Sequence, residues 1–347
     1  MKNVSISCLF VLFYSFWSMA QIPSKLKNYY SLINSAEIAI CDSNYSIASK
    51  YYTEAIDLVE YPFAQDIYNA SICSIMMRDF QSTLKLSQRL VLKGCELDFF
   101  HKFIYKEFRK DKKRWSLFMK NYPFLRKEFL KKYNKNLAIS LKKMVEADQN
   151  YYCEAPKQLS NNIFSDSLFK NDSYLAKEMM NIFKKHGYPT EELIGVNIID
   201  TSIVFFPTFN VLIRHNYQKK RFDFTSYLEE AVHSGKLKSE LFCNWYSFQK
   251  GGSGYGEQGL IEQFNCGFYL SKLSGTKEKI NINRLSMSLP PIDDLIKKII
   301  FYHCVKNRTF VLYAPIGIIP GYDKETESTL QRFSIHLPYK VKECTPK

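Results

Sequence analysis

The chain has 347 residues, of which 46% are hydrophobic and 16% aromatic, and this composition excludes an intrinsically disordered protein and suggests about two domains. The formal net charge is +14, but Lys102–Lys143 holds fifteen Lys and Arg against three acidic residues and so carries most of the excess. Nine cysteines occur without a Cys-x-x-Cys pair or a close Cys/His cluster, which argues against a structural zinc site.

The first twenty residues have the three parts of a secretory signal peptide. Lys2 gives a positive start, an apolar run extends from Val4 to Trp17, and Ser18-Met19-Ala20 places small residues around a larger one. The apolar run is shorter than the roughly 20 residues that cross a bilayer. We therefore predict cleavage after Ala20, an exported product that is periplasmic or extracellular, and no transmembrane segment in the mature chain.

Residues 21–133 have the spacing of helical hairpins. Small, small, aromatic and small residues fall at the positions that define a tetratricopeptide repeat, at Ala36, Ala48, Tyr52 and Ala55. Ala70 follows the first of these at the 34-residue period of that repeat. Asn44-Tyr45 and Asp79-Phe80 mark corresponding turns in the two hairpins, and their spacing differs by one residue from the exact period. The segment therefore resembles tetratricopeptide repeats, and a generic stack of helical hairpins is the alternative.

The basic stretch Lys102–Lys143 has two interpretations. Large apolar residues recur at helical spacing in and before it, at Phe99 and Phe103 and at Phe100, Ile104 and Phe108. Basic residues fill the other faces, so the stretch either binds an anionic partner or is a solvated helix face. Charge runs are usually solvated, and aromatic rings at core spacing are not free to stack on bases. Together with export, this favours the solvated face and argues against nucleic acid as a partner.

Residues 134–347 are predicted to form a second, mostly helical domain with a few short strands near the C-terminus. The predicted helices cover 134–149, 174–186, 224–233, 239–248 and 291–303, and the predicted strands cover 268–273 and 310–313. The strongly apolar segment 201–214 is predicted to be either a helix or another buried segment. The polar segment 161–172 indicates a loop or hinge. Gly187, followed by Pro189, ends the helix before it. The predicted fold class is mainly α, with a tetratricopeptide-like N-terminal part followed by a mostly α domain.

Several short motifs occur in one order between residues 134 and 260. They are Met144-x-x-x-Asp148-Gln149, Gly187-Tyr188-Pro189-Thr190, Gly195, His215, Ala231-Val232-x-x-Gly235 and Tyr255-Gly256-x-Gln258. In this order they resemble a bacterial family of uncharacterised domains, which are often exported and sometimes follow helical repeats. The resemblance implies a domain but no reaction. The chain departs from the pattern where Asn150-Tyr151-Tyr152 and Cys243-Asn244 replace expected charged residues.

Two residues of these motifs are candidates for catalysis. A His oriented by a carboxylate is the minimal general-base arrangement, so Asp148 and His215 form the candidate pair, with Cys243 as a candidate nucleophile beside it. An Asp–His pair between helices is more often a structural hydrogen bond, and this interpretation is favoured. The candidate ligand-binding residues are Gln149, Tyr255, Gly256 and Gln258. No metal site and no cofactor is predicted.

Three functions fit these observations. The favoured hypothesis is an exported module of the bacterial cell envelope that binds a protein or another envelope component without catalysis. The first alternative is a hydrolase-like enzyme that uses Asp148 and His215 in a cleft between helices. The second is a basic protein that adheres to an anionic envelope polymer through Lys102–Lys143.

Overall fold

The structure of the chain is a computed structural model. It describes residues 22–154, 161–196, 205, 207–218, 221–250, 254–255, 260–264, 267–271, 277–304, 309–315, 317–318, 328, 332 and 334–340. The predicted signal peptide, residues 1–20, lies outside the described residues.

The described part of the chain is mainly helical, which confirms the predicted fold class. The α-helices are α1 (Ser24–Cys41), α2 (Tyr45–Leu58), α3 (Ala64–Met76), α4 (Phe80–Leu92), α5 (Leu97–His101), α6 (Lys106–Lys110), α7 (Lys112–Lys132), α8 (Lys135–Glu154), α9 (Asn161–His186), α10 (Glu191–Ile194), α11 (Asn210–Gln218), α12 (Thr225–His233), α13 (Ser239–Lys250), α14 (Lys277–Ser286) and α15 (Ile292–Ile299). A 3-10 turn precedes α6 at Phe103–Tyr105, and a π-helical turn, Ile300–Cys304, follows α15.

The first four helices form two hairpins with the same turn. In each turn one residue has a left-handed backbone, Ser43 at φ +57° and Arg78 at φ +58°. The next residue caps the second helix: the Asn44 side chain accepts a hydrogen bond from the backbone N–H of Ile47, and the Asp79 side chain accepts one from Ser82. The small and aromatic residues at 36, 48, 52 and 55 are all completely buried between the helices, as their repeat-like spacing predicts.

The aromatic run after α4 differs in one place from the sequence-based expectation. Helix α5 ends at His101, and the 3-10 turn that follows changes the helical phase. Phe99, Phe100 and Phe108 are therefore buried, whereas Phe103 is 81% exposed. The charged segment beyond it forms α7, which continues through Pro123.

The segment 161–172, which we predicted as a loop or hinge, is helical, and that prediction is wrong. It forms the first half of α9, which runs without interruption to His186. Its sequence contains Phe164 and Leu168 one helical turn apart, and this short apolar stripe lies within a mostly polar composition. The helix ends as predicted, with Gly187 at φ +66° donating its N–H to the carbonyl of Phe183.

Four short strands near the C-terminus form one sheet. They are β1 (Ile261–Phe264), β2 (Gly267–Ser271), β3 (Gly317–Ile318) and β4 (Ser334–Lys340), in the order β3-β1-β2-β4. Strand β2 pairs antiparallel with both β1 and β4, and β1 pairs parallel with β3. The sheet packs against α14 and α15 around a small separate core that includes Ile261, Phe268 and Leu295.

Buried ion pairs join the N-terminal hairpins to the C-terminal half of the chain. Lys298 Nζ of α15 lies 2.5 Å from Glu37 Oε2 of α1, and Lys238 Nζ lies 2.8 Å from Asp66 Oδ1 of α3. Lys93, which follows α4, pairs with Glu191 and Glu192 of α10. Helices α1 and α3 and the residue that follows α4 therefore each pair with residues from beyond position 190.

The segment 310–313, predicted as a strand, belongs to no sheet. Its backbone bonds to side chains of α3 instead: Asn69 Nδ2 donates to the carbonyl of Val311 at 2.8 Å, and Val311 N–H donates to Asn69 Oδ1 at 2.9 Å. Gln65 Nε2 donates to the same carbonyl, and the Tyr68 hydroxyl donates to the carbonyl of Thr309. Side chains of α3 thus take the place of a neighbouring strand.

None of the helices in the described ranges is long and apolar enough to cross a membrane.

Candidate functional site

The structure brings Asp148 of α8 and His215 of α11 into contact. Asp148 falls on the buried stripe of α8, one helical turn after Met144, so that its carboxylate is drawn into the protein and is 1% exposed. Its Oδ1 atom lies 2.9 Å from Nδ1 of His215. Since an ionised carboxylate only accepts, Nδ1 carries the proton in this bond.

The second oxygen of the carboxylate is also occupied. Gln149 Nε2 donates a hydrogen bond to Asp148 Oδ2 at 2.6 Å. The pair therefore has a well-bonded carboxylate that fixes the orientation of an imidazole ring, an arrangement that suits either a general base or a structural link between α8 and α11.

Of the other candidate residues, Tyr255 and Cys243 are described and two lie outside the described residues. Tyr255 is half-buried, and its carbonyl accepts a hydrogen bond from Nη1 of Arg284 on α14 at 2.7 Å. Gly256 and Gln258 lie outside the described residues. Cys243 is completely buried, which removes the accessibility that a nucleophile needs.

A cavity of about 820 Å³ lies next to the Asp148–His215 pair, and we call it the cleft. It is enclosed by α3, α8, α11, α13 and residues 311–315. Aromatic side chains dominate its walls, among them Phe205, Trp245, Phe248 and Tyr313. Its volume and its mainly apolar walls are typical of a site for a small ligand or a short peptide.

The Asp148–His215 pair adjoins the cleft without facing it. Gln149 and Arg214, the chain neighbours of the two residues, line the cleft. Among the described residues, neither Asp148 nor His215 does. Asp148 and His215, predicted from the sequence, thus lie beside the cleft. Of the described candidate residues, only Gln149 lines it and could contact a ligand there.

Two residues that line the cleft each have a buried polar atom with no hydrogen-bond partner among the described residues. Asn210 is 6% exposed, and its Oδ1 accepts a hydrogen bond from the Tyr188 hydroxyl at 3.1 Å, while its buried Nδ2 has no partner. Oε2 of Glu240 is likewise buried without a partner. Buried polar atoms are normally satisfied, so this donor and this acceptor leave unused hydrogen-bonding capacity on two residues that line one cavity.

Sequence reasoning did not identify these two residues. Asn210 opens α11 and Glu240 lies in the first turn of α13, where polar residues are common at helix starts. No motif includes either residue, because only the packing of α11 against α13 brings them to one cavity.

Burial affects the pKa values of Glu191, which lines the cleft, and of its neighbour Glu192. Glu191 accepts a hydrogen bond from the backbone N–H of Ala64, and burial raises its pKa above the ordinary value although the ammonium of Lys93 acts in the opposite direction. For Glu192 burial also acts upward, but the charge of Lys93 and its hydrogen bond outweigh it, so the pKa of Glu192 is lowered.

Within the described ranges, no group of three or more His, Cys, Asp or Glu side chains is arranged to hold a metal ion.

Comparison of the chain with protein-family models, with curated proteins and with solved structures gives no match. The resemblance to a bacterial family of exported domains stays a prediction that rests on the motifs themselves.

Proposed function

We propose that the protein is an exported, non-catalytic binding module of the bacterial cell envelope and that the cleft binds a short apolar peptide segment of a partner protein. The observation that carries this proposal is that two residues lining a mainly apolar cavity, Asn210 and Glu240, each have a polar atom without a partner among the described residues. Nδ2 of Asn210 matches a peptide carbonyl, and Oε2 of Glu240 matches a peptide N–H.

The helical hairpins support this location for the binding site. A tetratricopeptide-like stack would ordinarily offer its helix faces to a partner. Here Gln65, Tyr68 and Asn69 of α3 hold the chain's own residues 309–311. The hairpins therefore act as the scaffold of the cleft, and the cleft itself is the free binding surface.

Peptide binding can be tested with a pool of N-acetylated tripeptide amides built from Leu, Phe and Trp. The protein is incubated with the pool, retained peptides are identified by mass spectrometry, and their affinities are measured by calorimetry. We expect Asn210→Asp to weaken binding at least about tenfold, because it replaces the unpaired donor with an acceptor yet keeps the oxygen that Tyr188 needs.

The matched control is Asn136→Asp, the same substitution at an exposed position of α8. It is expected to leave affinity unchanged. The proposal fails if the wild-type protein retains no peptide, or if Asn210→Asp binds as tightly as the control while melting at a normal temperature.

Export is tested separately. The proposal requires that the mature protein begin at Gln21 and be recovered from the envelope or the medium. N-terminal sequencing of the protein from its native host checks both points, and an intact chain in the cytoplasm would contradict export.

A hydrolase-like enzyme is the second candidate, and the 2.9 Å bond between Asp148 and His215 favours it. If His215 acts as a general base, the wild-type protein hydrolyses p-nitrophenyl esters or peptide anilides, and His215→Ala abolishes this activity without loss of peptide affinity. The binding proposal predicts no hydrolysis and predicts that His215→Ala lowers only the free energy of unfolding.

A further inference from the structure

A smaller cavity of about 380 Å³ opens beside the cleft, and we call it the hollow. It lies between the end of α7, the start of α3 and the connections that precede α10 and follow α12. Phe63, Tyr188, Glu191 and Lys236 line both the cleft and the hollow. The cleft and the hollow are therefore adjacent.

The acidic side chains that line the hollow are in ion pairs, whereas most of its basic side chains are not among the described ion pairs. Its acidic side chains, Glu191 and Glu192, both pair with Lys93. Lys132, His186 and Lys236 also line the hollow, and in the described part of the chain none of these three is in an ion pair. Three lysines against two glutamates leave one positive charge in excess when His186 is neutral.

These three basic side chains come from separate parts of the fold. Lys132 ends α7, His186 ends α9, and Lys236 follows α12. Lys132 and Lys236 are exposed, so that each ammonium stays hydrated and can move toward a ligand on its flexible stem. The centroid of the Tyr61 ring lies 5.9 Å from the ammonium of Lys132, and Tyr61 adds apolar surface to the hollow next to Lys132.

We infer that the hollow binds the C-terminal carboxylate of the peptide whose apolar residues occupy the cleft, with Lys132, His186 and Lys236 as the groups that face it. This inference rests on the proposed function. A carboxylate carries one negative charge and so matches the excess of the hollow, whereas a phosphate dianion would be only half neutralised by it. The partner is then a protein or peptide that ends in apolar residues with a free C-terminus.

The test compares two forms of one peptide pool. The N-acetylated tripeptides of Leu, Phe and Trp are prepared as free acids and as C-terminal amides, and the dissociation constants of the retained members are measured with the full mature chain. We expect each free acid to bind about tenfold tighter than its amide, and the difference to shrink as ionic strength rises.

Substitutions of lysine residues test which side chains cause the preference for the free acid over the amide. In Lys132→Met with Lys236→Met we expect the free acid to bind no tighter than the amide, and the comparison of acid with amide is made within each variant because Lys236 also lines the cleft. Lys120→Met is the matched control, because Lys120 is exposed on the same helix as Lys132 and lines neither cavity. Circular dichroism confirms that the variants fold.

The outcomes are distinguishable. Equal affinity for acids and amides in the wild type would overturn the carboxylate site and leave the peptide-binding cleft intact. Loss of the acid preference in Lys120→Met as well would attribute it to overall charge and would also overturn the site. If neither form binds, the proposed function fails, and the inference fails with it. Tighter binding of inorganic phosphate than of the free acids would replace the carboxylate with a phosphate ligand and overturn the inference.

Discussion

The ammonium of Lys238 lies 2.8 Å from the carboxylate of Asp66, and it joins the residue that precedes α13 to the first turn of α3. The other oxygen of Asp66 accepts a hydrogen bond from the hydroxyl of Tyr29 at 2.5 Å. The side chain of Asp66 is 1% exposed and that of Lys238 is 13% exposed. This contact is therefore a buried, fully bonded charge pair that connects the hairpins to the wall of the cleft.

Removing one partner of this pair should be costly. Asp66→Asn leaves the ammonium of Lys238 without its charge partner in a buried place, and we expect a loss of about 3 kcal/mol in the free energy of unfolding. Asp57→Asn is the control, because Asp57 pairs with Arg89 at the surface and such pairs contribute about 1 kcal/mol or less. Urea unfolding measures both, and equal losses would contradict a structural role for the buried pair.

A double-mutant cycle isolates the pair itself. Asp66→Asn combined with Lys238→Met should lose less stability than the sum of the two single variants, because the double variant has no unpaired buried charge. Additive losses would show that the two side chains do not interact.

Stability should fall in alkaline solution. Burial and the charge of Asp66 raise the pKa of Tyr29 above its ordinary value of 10.0. Burial lowers the pKa of Lys238, but the charges of Asp66, Glu240 and Glu37 outweigh it, so the pKa is raised above 10.5. In both cases the folded state holds the proton more tightly. The contribution is complete below the unfolded pKa and is lost as pH rises through the folded pKa.

The measurement is the free energy of urea unfolding from about pH 8 to about pH 11. We expect a decline that begins near pH 10, and Tyr29→Phe should show a shallower decline because one of the titrating groups is gone. Tyr30, Tyr52 and Tyr105 have pKa values raised by burial as well, so part of the slope should persist. An unchanged slope in Tyr29→Phe would contradict the assignment.

The two hydrogen bonds between Asn69 and the backbone of Val311 should stabilise the part of the cleft wall that Val311 forms. Asn69→Ala removes both hydrogen bonds to the backbone of Val311, and we expect a loss of about 2 kcal/mol in stability. Hydrogen exchange at the Val311 amide should become faster than in the wild type. Asn136→Ala, an exposed position of α8, serves as the control, and unchanged protection of the Val311 amide in Asn69→Ala would refute the prediction.

Two glycines with left-handed backbones should respond differently to alanine. A Cβ on Gly94, at φ +104°, would lie 2.9 Å from Cζ of Phe129 and 3.0 Å from Cα of Gly195. A Cβ on Gly187, at φ +66°, would meet no atom within 4 Å. We expect Gly187→Ala to cost about 1 kcal/mol from backbone strain alone, and Gly94→Ala to cost about 3 kcal/mol because a backbone contact is added.

Thermal melting of the two variants provides the measurement. Equal shifts in melting temperature would mean that the neighbours of Gly94 move aside freely, and the packing of α7 against the residues that follow α4 would then be looser than the structure shows.

The sequence by itself determined the local structure of this protein. The small residues Ala36, Ala48 and Ala55, the helix caps Asn44 and Asp79, and the helix stop at Gly187 all act over a few residues, so their patterns predict the hairpins and the ends of the helices. The mostly polar composition of 161–172 predicts a loop. The segment is nevertheless the first half of the long helix α9, which composition alone does not indicate.

Only the tertiary structure decided which side chains meet. Asp66 and Lys238 are 172 residues apart in the chain, and Glu37 and Lys298 are 261 apart. In the sequence each of these residues resembles an ordinary surface charge, and no spacing rule connects them. The same holds for Asn210 and Glu240 in the cleft, because an unpaired buried atom is a property of packing, and packing depends on how distant helices are arranged around one another.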